Sequence, residues 1–109
     1  MIDWERVGEL RAEVGEDDFA EIAELFLAEV EEVIDRLVTA PDVQRLSEDC
    51  HFLKGSAVNL GFSDFAGLCQ DAERLAQAGR GDEVRLADLA DSFARSRSAF
   101  FDGAARQAA

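Results

Sequence analysis

Apolar residues recur along this chain at three- and four-residue steps, the spacing that lines one side of an α-helix. From about Asp3 to Val14 the series is Trp4, Val7, Leu10 and Val14, with Asp3 as N-cap and Gly15 as stop. From Asp18 to Thr39, Phe19, Ile22, Ala23, Phe26, Val30, Val33, Ile34 and Leu37 form one stripe. Glu21, Glu24, Glu31, Glu32 and Asp35 lie opposite, and Leu25 falls well off the apolar side. "TAPD" breaks this helix, and Pro41 suits the first turn of a third, from about Asp42 to Leu60. Its stripe is Val43, Leu46, Cys50, Leu53, Ala57 and Leu60, and Gly61 ends it. Ser63 is the expected N-cap of a fourth helix, which turns Phe65, Leu68, Cys69, Ala72, Leu75 and Ala76 inward and ends at "AGRGD". A fifth, about Glu83 to Ala104, carries Leu86, Leu89, Ala90, Phe93, Phe100 and Phe101.

Strict alternation is absent, tyrosine is missing and threonines are few, so strands are not expected. Short connections between long amphipathic helices favour antiparallel neighbours. The expected fold is all-α: an antiparallel up-down four-helix bundle with a short N-terminal cover helix across one end. At 109 residues, without repeat or linker, positions 1–109 form a single domain with one modest core.

Composition narrows the function. Apolar residues make up 48% and charged residues 32%, a balance that folds and dissolves. Lys and Arg total 11 against 24 Asp and Glu, a formal net charge of -13. That acidity argues against nucleic acid and against anionic membrane surfaces, both of which need clustered positive charge. No apolar run reaches the roughly 20 residues that span a bilayer. The N-terminus lacks the basic-then-apolar order of a signal peptide. Two cysteines, Cys50 and Cys69, neither build a disulfide scaffold nor have zinc-site spacing. A reduced, cytoplasmic, soluble and monomeric domain is the expectation. Between Glu13 and Asp35 stand ten acids and no base, either a solvated helix face or an electrostatic docking surface.

The candidate chemistry sits in "HFLKGSAVNLGF", residues 51–62, which holds the only histidine. On a helical wheel the third helix's apolar stripe centres near Leu46 and Ala57, and His51 lies about 140° away. The imidazole therefore points out of the bundle. Lys54, Gly55 and Val58 share its face by three-, four- and seven-residue spacing. A glycine inside a helix costs about 1 kcal/mol against alanine. Gly55 does nothing for the core, but it clears the approach to the imidazole. A neutral imidazole is a nucleophile without a helper base, and an exposed one titrates near about 6.5. Phosphoryl acceptance fits: Lys54 offsets the incoming charge as a flexible cation. Ser56 lies about 140° round from His51 and is not placed to bond the phosphoryl group, whereas Asn59, about 80° round, is within reach through its amide. Gln70, Glu73 and Gln77 form a polar stripe on the fourth helix, from which one side chain can hold the second ring nitrogen.

"HFLKGSAVNLG" resembles the signature of histidine-containing phosphotransfer (HPt) domains, roughly His-x-Leu-Lys-Gly-Ser/Ala-Ala-x-x-Leu-Gly. His51, Leu53, Lys54, Gly55, Ser56, Ala57, Leu60 and Gly61 all fit. The resemblance implies that His51 takes a phosphoryl group from a receiver-domain aspartate and passes it to another receiver, with Lys54 and Gly55 beside it. It also implies a supporting side chain from the next helix, placed on Glu73 ahead of Gln70. The partners implied are response-regulator receiver domains and a hybrid sensor histidine kinase. With no Gly-rich phosphate loop the chain has no ATP site, and it carries no cofactor of its own: Mg²⁺ comes with the receiver. Docking is expected around Val58 and Phe52, with Leu25 and the first helix as further contributors.

Other readings stay open. A cysteine enzyme using Cys50 and His51 fails on geometry, because adjacent helical residues diverge by about 100°. A helical module that binds receiver or other signalling domains without being phosphorylated is the alternative function. Met1 and the compact ends suggest a free-standing domain, though a fragment of a larger phosphorelay kinase would begin the same way.

Overall fold

A computed structural model describes residues 2–108, with side chains described through residue 103; Met1 and Ala109 lie outside the described residues. The chain is all-helical. Helices α1 (Trp4–Val14), α2 (Glu16–Thr39), α3 (Leu46–Leu60), α4 (Ser63–Gln77) and α5 (Leu86–Ala108) follow one another. Short 3₁₀ turns at Val43–Arg45 and Gly81–Glu83 precede α3 and α5. The described residues form no strand, only an isolated bridge between Ile2 and Phe62.

The long helices pack in a circuit, α2 on α3, α3 on α4, α4 on α5 and α5 back on α2, while α1 lies on α2 and α3. Asp3 caps α1 as expected, its side chain accepting from the Arg6 N–H at 3.2 Å. Gly61 ends α3 in the left-handed region at φ +75°, which a residue with a Cβ adopts only under strain. A Cβ there would also meet the Asp3 carbonyl oxygen at 2.6 Å. The Asp3 N–H in turn donates to the Gly61 carbonyl at 2.7 Å, so one glycine anchors both the α3–α4 turn and the start of α1.

Several expectations shift. α3 begins at Leu46, because the Asp42 side chain caps a 3₁₀ turn at Gln44 and Pro41 precedes it. Val43 is thereby out of phase with α3 and exposed. Ser63 is the first residue of α4 and not its cap; Phe62 holds the cap position without a side-chain bond. Phe62 is fully buried, since α1 folds over the turn, and its ring meets Phe93 and Phe100. In α2, Leu27 joins the core, because contacts with α1, α3 and α5 widen the buried arc beyond one stripe. Leu68, expected inward, is exposed on the flank of α4 in a groove shared with Val84, which follows the second 3₁₀ turn, and with Leu89 of α5. Phe101 is exposed as well, edge-on to Phe100 and beneath Arg97.

Trp4 stacks on Phe100 with ring centroids 6.1 Å apart, clamping α1 onto α5. Gly103 makes room for it, since a Cβ there would run into the indole. Gly67, by contrast, is a helix-interior glycine whose Cβ would touch nothing within 4 Å. Gly103→Ala therefore lowers stability in urea unfolding by about 1–3 kcal/mol through overpacking. Gly67→Ala raises it by about 0.4–1 kcal/mol.

Candidate functional site

Helix α3 turns Cys50, Leu53, Ala57 and Leu60 into the core, and the opposite side carries His51 into solvent. The His51 side chain is 71% exposed. Glu73 of α4 meets it: Oε2 lies 2.9 Å from His51 Nδ1, and Oε1 lies 3.3 Å from Lys54 Nζ. Glu73 itself is only 8% exposed, so this carboxylate sits in the seam between the helices and takes one cation or N–H on each oxygen. An ionised carboxylate has no proton to give. The hydrogen is therefore on Nδ1, which donates to Glu73, and Nε2 keeps its lone pair facing outward.

Lys54 is partly buried beside the imidazole, its ammonium held at Glu73. Gly55 is exposed, and a Cβ built on it would meet nothing within 4 Å. No packing inside the fold calls for a glycine there, in contrast to Gly61 and Gly103. Val58 is 55% exposed and lies about 20° from His51 on the wheel, about 10 Å further along α3. Phe52 is 38% exposed on the neighbouring flank. Leu25 is exposed on α2, in phase with Arg36, which reaches across to α3.

Two sequence candidates stand apart from the cluster. Asn59 follows His51 by eight residues, about 12 Å along the axis, and its amide oxygen accepts from Arg6 Nη2 at 3.3 Å. Its contact in the structure is with α1. Gln70 is exposed and makes no bond to His51 or Lys54 among the described residues. Ser56 is buried, in keeping with its direction away from the imidazole.

Sequence reasoning missed the Arg36–Asp49 pair, a bidentate bond of 2.9 and 2.8 Å between α2 and α3, two residues before His51. Asp49 is buried although charged. Its signal was available: Asp49 stands three residues after Leu46 and four before Leu53, at the edge of the apolar stripe, and Arg36 is the first base after the ten-acid run. A buried carboxylate requires such a partner.

Cys50 is fully buried, and burial first, then the charges of Asp49 and Glu73, pushes its thiol up to about 11. It is a protonated core residue, not a nucleophile. No helix among the described residues is long and apolar enough to cross a membrane.

The site is thus an exposed imidazole on a helical domain, its inner nitrogen tied to a carboxylate and its outer nitrogen bare beside a lysine and a glycine. The Hpt domain model matches residues 21–99, which include the whole cluster, and the chain belongs to the Hpt domain family. It is similar to Phosphorelay intermediate protein YPD1 of Candida albicans (strain SC5314 / ATCC MYA-2876), 29% identical over 94 residues. That alignment covers 82% of this chain and 51% of the relative, so the chain spans about half of the relative's length. No solved structure matches it significantly.

Burial pushes the Glu73 carboxyl upward, but the hydrogen bonds and charges of His51 and Lys54 outweigh it and leave it below the usual carboxylate value. A carboxyl held lower in the folded than in the unfolded chain adds stability above the ordinary carboxylate range. That contribution is lost as pH falls through the folded value. In urea unfolding, the wild-type chain is more stable than Glu73→Gln near about pH 6, and the difference shrinks as pH falls below the ordinary carboxylate range.

Proposed function

We propose that this chain is the histidine phosphotransfer intermediate of a multistep phosphorelay. His51 Nε2 attacks the aspartyl phosphate of one receiver domain and later yields the phosphoryl group to the aspartate of another. The observation that carries this reading is the exposed imidazole whose inner nitrogen is fixed by buried Glu73. A nitrogen nucleophile held in one tautomer needs no base, since Nε2 has no proton to lose. Lys54 lies one turn away to offset the arriving charge. Gly55 leaves room for a receiver surface to approach. Phe52 and Val58 add apolar contact beside the histidine, and Leu25 extends that surface onto α2.

The chain supplies the nucleophile, one cation and a docking face. Magnesium and the charge stabilisation around the transferring group belong to the receiver. The partners are response-regulator receiver domains and a hybrid sensor histidine kinase, met in the cytoplasm where such domains work. The protein acts as a phosphocarrier without an ATP site of its own. Positions 1–109 make a single monomeric domain in which α2 to α5 run up and down as an antiparallel four-helix bundle, with α1 across one end. The circuit of helix contacts and the short connections support this arrangement.

The test incubates the chain with phosphorylated receiver domains and Mg²⁺ and follows label into an acid-labile, alkali-stable species. Transfer is expected with the wild type and not with His51→Gln. Gly55→Gln is expected to slow transfer by about tenfold or more by obstructing approach, while raising helix stability by a few tenths of a kcal/mol. Stable complexes with receivers, but no label on His51 from a broad panel, would establish a binding-only module instead.

A further inference from the structure

The Glu73 carboxylate does more than choose a tautomer, because it is shared. One oxygen takes His51 Nδ1 at 2.9 Å and the other takes Lys54 Nζ at 3.3 Å, so in the resting chain neither group has the carboxylate to itself. The charged groups around the ring are few. Glu73 faces it from α4, and Arg74 beside Glu73 is turned to Asp71. On α3 itself are Lys54, the exposed Glu48, and Asp49, which Arg36 of α2 occupies with both oxygens. Glu73 is thus the one carboxylate bonded to the imidazole among the described residues.

Transfer has a definite electron and proton balance. The Nε2 lone pair forms the N–P bond, and the acyl P–O bond breaks with its pair left on the donor aspartate. The hydrogen on Nδ1 stays, so the phosphorylated ring is formally an imidazolium. On onward transfer the N–P pair returns to Nε2, and the leaving group is neutral imidazole. Had Nδ1 lost its proton in the interval, the leaving group would be imidazolate, a far stronger base and a far poorer leaving group.

Resting on the phosphotransfer reading above, the geometry points to Glu73 as a proton-retaining positioning residue. Lys54 leaves it for the arriving phosphoryl oxygens, and Glu73, no longer divided, holds the Nδ1 hydrogen on phosphorylated His51 so that the group stays transferable into the alkaline range. The exchange fits the chemistry of the two cations. A lysine ammonium is a mobile point charge on a flexible stem, and a phosphoryl group one turn away offers it about two negative charges in place of a shared carboxylate. The imidazole has no such freedom, because its ring is fixed at Nδ1.

The experiment phosphorylates the intact chain with phosphoramidate, requiring no partner, and follows loss of phosphohistidine in buffer as a function of pH for the wild type and Glu73→Gln. Glutamine keeps the size and the accepting oxygen but not the charge. Loss requires the protonated ring, so its rate falls as pH rises. In Glu73→Gln that fall is expected about one pH unit or more below the wild-type position, the displacement a neighbouring opposite charge produces. Thermal unfolding of both proteins shows that the variant is folded. Superimposable profiles overturn the proposal. They leave the phosphotransfer reading standing, because that reading fails separately, when no receiver labels His51.

Discussion

The arrangement depends on the turn at Gly61. Its positive φ lets α3 stop and α4 begin within three residues, and the missing Cβ lets the Asp3 backbone seat against it. The turn sets the register of α3 against α4. His51 lies about 15 Å before the glycine and Glu73 about 18 Å after it, at the rise of a helix residue. A hairpin with nearly equal arms brings the two side chains level across the seam. The same turn buries Phe62, whose ring joins Phe93 and Phe100 and ties the end of the bundle to α1.

Charge is handled unevenly in this acidic chain. Most of its carboxylates stand on solvated helix faces, where repulsion is screened. Two enter the interior of the α3 neighbourhood, and each is matched. Asp49 receives the Arg36 fork on both oxygens, and Glu73 receives Lys54 and the imidazole. Both pairs flank His51, one toward α2 and one toward α4. Helix α3 is therefore fixed by directional bonds on either side of the residue that projects from it, which apolar packing alone would not ensure.

The glycines divide by the same physical test. Gly61 and Gly103 are demanded by the fold, one by its backbone and one by the Trp4 ring. Gly55 is demanded by nothing among the described residues, yet it stands one turn from the imidazole on the open side. Gly67 weakens its helix in the same way, so it is the place of Gly55 beside the imidazole that points to something approaching from outside. The exposed Val58 and Phe52 on the same helix fit that explanation.

Helix number, the outward direction of His51 and the presence of Lys54 and Gly55 beside it were legible in the sequence, because each is a matter of phase along one helix. Periodicity showed Glu73 only as one of several polar residues on the next helix, and the family resemblance placed it ahead of Gln70. Asn59 shared the right angle but not the right height, since a wheel discards the axial rise, and the structure gives its amide to Arg6. Phe62 and Leu27 were out of reach for a related reason. Their burial is decided by which neighbouring helix lies over them and not by their own periodicity. Sequence by itself thus determined what each helix presents; the tertiary structure alone decided which faces meet, and at what height, because register comes from the turns and from the packing they permit.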